Sequence, residues 1–113
     1  MNQEIKQRWI KKLRDPEMKQ TVGRLKEWDS YYCLGVLCEV YREDHPEVEW
    51  KTIDGIPTIL EENSILPESI LEWAGLELLK PNPPTSSGHS LATLNDTYGW
   101  NFNQTADQIE KDF

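Results

Sequence analysis

The sequence predicts an α+β fold, with about five helices packed around a small antiparallel hairpin or three-stranded sheet. Apolar residues recur at the helical spacing of three and four in several stretches that begin with capping residues. Residues 48–53 instead alternate apolar and polar side chains, which indicates a strand. The chain has 113 residues and no internal repeat. We therefore expect one α+β domain over residues 1–113.

The apolar run 31–41, YYCLGVLCEVY, is predicted to be the centre of the fold. As a helix it presents one continuous apolar stripe formed by Cys33, Val36, Leu37, Val40 and Tyr41. Asp29 or Ser30 is expected to cap this helix, and Gly35 to permit close approach of Trp9 or of another backbone. A strand stays open as the alternative, because apolar side chains also alternate through Tyr32, Leu34, Val36, Cys38 and Val40.

The elements before and after this run follow from local signals. Residues 3–14 predict an amphipathic helix that Asp15-Pro16 ends. Residues 21–25 suit a short strand, with a short helical turn as the alternative. Residues 48–53 and 56–60 predict a hairpin around the Asp54-Gly55 turn, with Pro57 on an edge strand.

Capping residues define the elements of the C-terminal half. Leu66-Pro67 opens a helix that Gly75 ends. Residues 80–90 are rich in proline and serine and predict a loop, the one segment where mobility is expected. Ser90 is expected to cap a short helix before a turn at 95–99. Asn101 and Gln104 form the capping-box pattern of the last helix.

The chain is acidic, with 12 basic and 20 acidic side chains and a net charge of −8. This balance disfavours direct nucleic-acid binding and membrane binding. No apolar run approaches the roughly 20 residues of a membrane span, and we expect a cytoplasmic protein with Cys33 and Cys38 as free thiols. Residues 1–26 carry eight basic and three acidic side chains, and residues 27–113 carry four and seventeen. Either the basic helix docks on an acidic part of the same molecule or one of the two regions is an interaction surface.

The sequence contains no motif of a known catalytic or cofactor site. It has no glycine-rich phosphate loop and no Cys-x-x-Cys pair, and its two histidines are far apart. We therefore predict no catalytic residue, no metal, no cofactor and no enzymatic activity. A polar corner with aromatic neighbours is the main ligand candidate, formed by Asn95, Asp96, Tyr98 and Trp100.

Four sequence blocks, taken in order, resemble a group of small proteins encoded by phages and prophages. They are YCLGVLCEVY, LPESILEWAGL, SLATLND and FNQTADQIE. The similarity spans most of the chain from Trp9 to Glu110, and the proline-rich insert at 81–84 departs from the pattern. No activity is established for the group. The resemblance implies a viral accessory origin and functions directed at the host.

Two functions follow as predictions. The first is a non-enzymatic accessory protein that binds and blocks a host protein or protein complex in the host cytoplasm. Glu61 and Glu62 represent its acidic working surface, and Trp28 is a further contact candidate. The alternative is a binder of a small signalling nucleotide. It would use Trp28, Tyr31, Trp50 or Trp100 as a stacking platform and Arg8, Arg24 or Lys26 for phosphates.

Overall fold

The computed structural model describes residues 1–113 and contains five α-helices and two small sheets. The helices are α1 (Gln3–Leu13), α2 (Cys33–Asp44), α3 (Glu68–Ala74), α4 (Leu91–Asp96) and α5 (Phe102–Asp112). The strands are β1 (Lys19–Gln20), β2 (Lys26–Glu27), β3 (Ser30–Tyr31), β4 (Lys51–Ile53) and β5 (Ile56–Thr58). The predicted α+β fold is confirmed. None of the helices has the length and apolar character that crossing a membrane would require.

Helix α2 is the central element, and the strand alternative for residues 31–41 is wrong. Both periodicities occur in this run because α2 is covered on nearly all sides and is apolar around most of its circumference. Its fully buried residues are Cys33, Leu34, Val36, Leu37, Cys38 and Val40. The buried indole of Trp9 in α1 donates a hydrogen bond to the Cys33 carbonyl at 2.9 Å.

The predicted cap of α2 is also wrong. The residue at the N-cap position is Tyr32, whose side chain makes no capping hydrogen bond. Ser30 belongs to strand β3, and the Asp29 carboxylate is instead paired with Lys19 at 2.7 Å. The backbone of Tyr32 donates to the Leu25 carbonyl at 3.3 Å, so tertiary contacts define where α2 begins.

Leu25 is the reason why residues 21–25 are not the predicted strand. These residues form bends between β1 and β2. The Leu25 side chain is fully buried, and its backbone N–H donates to the Asn63 carbonyl at 2.7 Å rather than to a strand. Its carbonyl lies directly against Gly35, where any Cβ would overlap it. The predicted close approach at Gly35 is confirmed, with Leu25 as the approaching backbone.

The two sheets are short. In the first, β3 lies between β1, which is parallel to it, and β2, which is antiparallel to it. The second is the β4–β5 hairpin, with Ile53 opposite Ile56 and a turn at Asp54-Gly55, where both residues have positive φ. The predicted turn is confirmed. The predicted strands are too long, and all three residues of β4 are exposed rather than half-buried, whereas Ile56 and Pro57 of β5 are half-buried and Thr58 is buried.

The C-terminal helices begin and end where their capping signals predict. Pro67 precedes α3, and Gly75 ends it with a φ of 72°. Ser90 caps α4, and Asn101 and Gln104 form the reciprocal capping box of α5. Helix α4 continues to Asp96, so the predicted turn at 95–99 begins too early. Residues 80–90 form the predicted loop, which contains one isolated β-bridge between Pro84 and Ser90. Backbone hydrogen bonds connect this loop to Leu66 and Leu91.

The basic helix α1 packs on α2 and α5, and its cations bind acidic groups of both. Arg8 bonds both oxygens of Asp44, at 2.9 and 3.1 Å, and also contacts Glu43. Arg14 contacts Asp107 of α5 at 2.7 Å. The interpretation that the basic helix docks on an acidic part of the same molecule is therefore confirmed.

Candidate functional site

The β4–β5 hairpin has a groove on each face. Successive side chains of a strand point to opposite faces, so Trp50 and Thr52 face one groove and Lys51 and Ile53 the other. The cationic groove has a volume of about 380 Å³ and is lined by Arg24, Lys26, Glu27, Trp28, Trp50, Thr52, Gly55 and Pro57. The acidic groove has a volume of about 430 Å³ and is lined by Glu47, Val48, Glu49, Lys51, Ile53, Thr58, Leu60 and Glu61.

Two cations without a carboxylate partner define the cationic groove. Arg24 and Lys26 are both half-buried, and neither forms an ion pair. The Lys26 ammonium lies 5.5 Å from the centre of the Trp50 ring and 5.6 Å from that of Tyr31, within cation–π range. The groove also contains the Glu27 carboxylate, which accepts a hydrogen bond from the Thr21 hydroxyl at 3.4 Å.

Glu39 of α2 binds Trp50, which lines this groove, and Tyr31, which lies beside it. Its carboxylate accepts hydrogen bonds from the Tyr31 hydroxyl at 2.6 Å, from Arg42 at 2.8 Å and from the Trp50 indole N–H at 3.2 Å. Burial by itself opposes ionisation of Glu39, but these three donors outweigh it and hold its pKa below the ordinary value of 4.5. Burial and the bond to Glu39 raise the pKa of Tyr31, so its hydroxyl stays a donor.

The acidic groove combines exposed apolar side chains with unpaired carboxylates. Ile53 is 53% exposed and Leu60 is 40% exposed. Leu60 and Glu61 occupy the middle of a tight turn in which Ile59 and Glu62 exchange backbone hydrogen bonds of 2.9 Å. Neither Glu61 nor Glu62 has a basic partner, and Lys51 is the one cation lining the groove.

Non-glycine residues with positive φ lie around the two grooves, and of these Asp54 has the usual geometry of an Asp-Gly hairpin turn. The non-glycine residues with positive φ are Trp28, Asp54, Leu60 and Glu61. They lie in three turns, and each turn contributes a residue to the lining of at least one groove. Left-handed conformations of bulky residues are costly and occur preferentially at functional sites. The hairpin region is therefore the candidate functional site.

The structure separates the site residues that the sequence singles out. Trp28 lines the cationic groove, Glu61 lines the acidic groove, and Glu62 follows directly after Glu61. Among the residues named for phosphate and ring contacts, Arg24, Lys26 and Trp50 lie with Trp28, whereas Arg8 is bound to Glu43 and Asp44.

The candidate corner at residues 95–100 lies elsewhere. Asn95 is fully buried, where its amide donates to the Thr21 carbonyl and accepts from Gln20, so it joins α4 to the β1 region. Asp96 is exposed and accepts from the Asn95 amide. Tyr98 is exposed and contacts His89, with ring centres 4.5 Å apart. Trp100 lines a separate surface groove beside α5.

Sequence reasoning missed Glu39, Ile53 and Leu60 as functional candidates. Glu39 could have been found, because it is an acidic residue within the most apolar run of the chain. The alternating pattern does place Ile53 on the same face as Glu49 and Lys51, which was a signal for its exposure, whereas the exposure of Leu60 had no sequence signal.

The two cysteines lie outside the site. Both are fully buried in α2, and burial raises the pKa of each thiol far above its usual range. A neutral buried thiol is a poor nucleophile, and core packing accounts for both residues. No group of three or more histidine, cysteine, aspartate or glutamate side chains is placed to hold a metal ion.

Comparisons with known proteins give one result. No curated protein and no solved structure matches the chain. One family model, described as a domain of unknown function (DUF8296), matches residues 1–113, the whole of the sequence. The chain belongs to the DUF8296 family.

Proposed function

We propose that this protein is a non-enzymatic accessory protein of phage type that binds and blocks a host macromolecule in the host cytoplasm. The observation that carries the proposal is the acidic groove, where unpaired carboxylates surround exposed apolar side chains. Exposed apolar anchors inside a charged rim are the common composition of a protein-binding surface. The partner that fits this surface is a host protein with a basic patch around an apolar contact.

The distribution of ion pairs supports the acidic body as the working surface. The basic helix α1 uses Arg8, Lys12 and Arg14 for contacts within the molecule. Glu61 and Glu62 make no such contact, and the net charge of −8 extends their field. An unpaired acidic surface accelerates encounter with a basic partner and fixes its orientation.

Charge reversal on the groove tests this proposal. The protein is immobilised, host proteins captured from lysate are identified, and binding of the captured protein is measured. Glu61→Lys with Glu62→Lys is expected to slow association several-fold, and wild-type association is expected to slow as salt shortens the screening length to about 8 Å at physiological strength. Glu61 is exposed, Glu62 is half-buried and neither forms an ion pair, so both substitutions should leave the protein folded, which thermal unfolding checks.

A matched control separates the groove from net charge. Glu68 and Glu72 of α3 are exposed, carry no ion pair and lie outside both grooves. Glu68→Lys with Glu72→Lys makes the same change in net charge and is expected to retain most of the association rate. Equal losses in the two double variants, or no loss in either, would show that the acidic groove is not the binding surface.

A further inference from the structure

We propose that the cationic groove is a second binding site, independent of the acidic groove, and that it takes a nucleotide. In this site the aromatic base stacks beside Trp28 and Trp50, and the phosphate lies between Arg24 and Lys26. The two grooves occupy opposite faces of the β4–β5 hairpin. Failure of host-protein binding would therefore not exclude the nucleotide site, and failure of nucleotide binding would not exclude the host-protein surface.

The charge of the groove favours an anion. In a chain with 20 acidic side chains, Arg24 and Lys26 both lack a carboxylate partner although both are half-buried. The nearby Asp29 carboxylate is neutralised by Lys19 at 2.7 Å, outside the groove lining. Glu27 leaves the lining with a net charge of +1. A guanidinium and an ammonium facing one cavity are a typical pair for a phosphate group.

The aromatic residues favour a planar ring attached to that anion. Trp28 is 87% exposed and has a φ of 56° in the two-residue turn between β2 and β3. A planar ring that covers this exposed indole would bury apolar surface and thereby gain binding free energy. Trp50 is held from below by its bond to Glu39, so the groove offers one fixed and one exposed indole. Indole faces stack with any nucleobase.

The size of the cavity agrees with a single nucleotide. Its volume of about 380 Å³ lies at the lower end of the range of roughly 300–1,000 Å³ for small-molecule sites. The nucleotide chemistry could come from free mononucleotides or from one unit of a single strand. We assign the free mononucleotide, because the net charge of −8 repels a polyanion more strongly than it repels a small anion.

Calorimetric titration of the full chain tests the assignment with four probes: ATP, adenosine, inorganic phosphate and a twelve-nucleotide oligo(dT). ATP is expected to bind, and adenosine and phosphate to bind at least about tenfold more weakly, since each lacks half of the recognised chemistry. ATP binding no tighter than phosphate binding would overturn the proposal. Oligo(dT) binding without ATP binding would overturn the free mononucleotide as the source.

Variants locate the binding on the groove. Arg24→Met and Lys26→Met are each expected to weaken ATP binding by about tenfold or more, as loss of a charge-assisted hydrogen bond does. Trp28→Ala is expected to weaken ATP and adenosine binding but to leave phosphate binding unchanged. Thermal unfolding checks that each variant is folded. Each of the three variants tests the site separately, so the failure of one variant to fold leaves the other two to decide.

Two control variants make comparable changes outside the cationic groove. Lys11→Met removes an exposed cation of α1 that forms no ion pair, and Leu79→Ala shortens a side chain that is 95% exposed. Both lie outside the groove lining and should leave ATP affinity unchanged. An ATP affinity that falls as much in Lys11→Met as in Lys26→Met would mean that the nucleotide responds only to net charge, and the site would be rejected.

Discussion

At the scale of single residues, Glu39 links the core to the candidate site. It is an acidic residue within the most apolar part of helix α2, and its one carboxylate accepts hydrogen bonds from Tyr31, Arg42 and Trp50. Its side chain is 19% exposed, so solvent screens these bonds only in part. The position of the Trp50 indole, which lines the cationic groove, therefore depends on the charge of a single residue.

Glu39 should make the free energy of unfolding depend on pH in the acidic range. Its folded pKa lies below the ordinary value of 4.5, so its contribution is fully present above that pH and is lost as pH falls through the lower, folded pKa. Glu39→Gln is expected to lower the free energy of unfolding at pH 7 by about 1.5–3 kcal/mol, the size of hydrogen bonds to a charged group. The difference from wild type should shrink on acidification.

Urea unfolding between pH 7 and pH 3 measures this difference. Glu49→Gln is the matched control, because Glu49 is exposed and forms no hydrogen bond or ion pair in the structure. Its curve should follow that of the wild type. If the Glu39→Gln curve runs parallel to the wild-type curve over the whole range, the carboxylate charge is not what holds the three donors.

At the scale of elements, α2 organises the fold. Its apolar circumference is covered by α1 through Trp9, by the bends of residues 22–25 through Leu25, and by α4. The hairpin, by contrast, contributes no buried residue from β4. The core is therefore expected to tolerate change in β4 far better than in α2, although Thr58 of β5 is buried.

A single truncation in α2 should show this contrast. Leu37 is fully buried, and Leu37→Ala is expected to cost about 2–5 kcal/mol of unfolding free energy, as large-to-small changes in packed cores do. The same substitution at Leu79, which is 95% exposed, should cost less than about 0.5 kcal/mol. Both values come from urea denaturation, and comparable losses at the two positions would show that α2 is not central.

At the scale of the whole molecule, the uneven charge of the sequence is partly neutralised on folding. The basic first quarter of the chain contains α1, and three of its cations, Arg8, Lys12 and Arg14, pair with acidic groups of α2 and α5. The uncompensated charge that is left includes Glu61 and Glu62 beside one groove and Arg24 and Lys26 in the other. The fold thus separates an acidic groove from a cationic groove across one hairpin.

Substitution of Arg8 measures how much these ion pairs within the molecule contribute to the free energy of unfolding. Its guanidinium contacts both Glu43 and Asp44 but is 30% exposed. Arg8→Met is therefore expected to lower the free energy of unfolding by only about 1 kcal/mol or less at low salt, and by less at high salt. Lys11→Met, which removes a cation without an ion pair, should change it by less than about 0.5 kcal/mol. A salt-independent loss at Arg8 would point to packing of its stem instead.

Local signals determined much of the fold. The capping box of Asn101 and Gln104, the left-handed Gly75 and the Asp54-Gly55 turn are each defined by contacts within a few residues, and the structure contains all three. The apolar content of residues 31–41 likewise indicated the centre of the core. These features could be predicted because their energies depend on neighbours in the chain rather than on distant partners.

Only the tertiary structure decided the features that depend on distant partners. Residues 21–25 have a strand pattern, yet burial of Leu25 against Gly35 and the bond to Asn63 bend them around α2. Leu60 lies in an apolar run, yet a tight turn formed by Ile59 and Glu62 leaves it 40% exposed. Sequence identified Trp28, Arg24, Lys26 and Trp50 as candidates but could not bring them together. Their meeting depends on how the β2 turn packs against the hairpin, a contact between segments more than twenty residues apart.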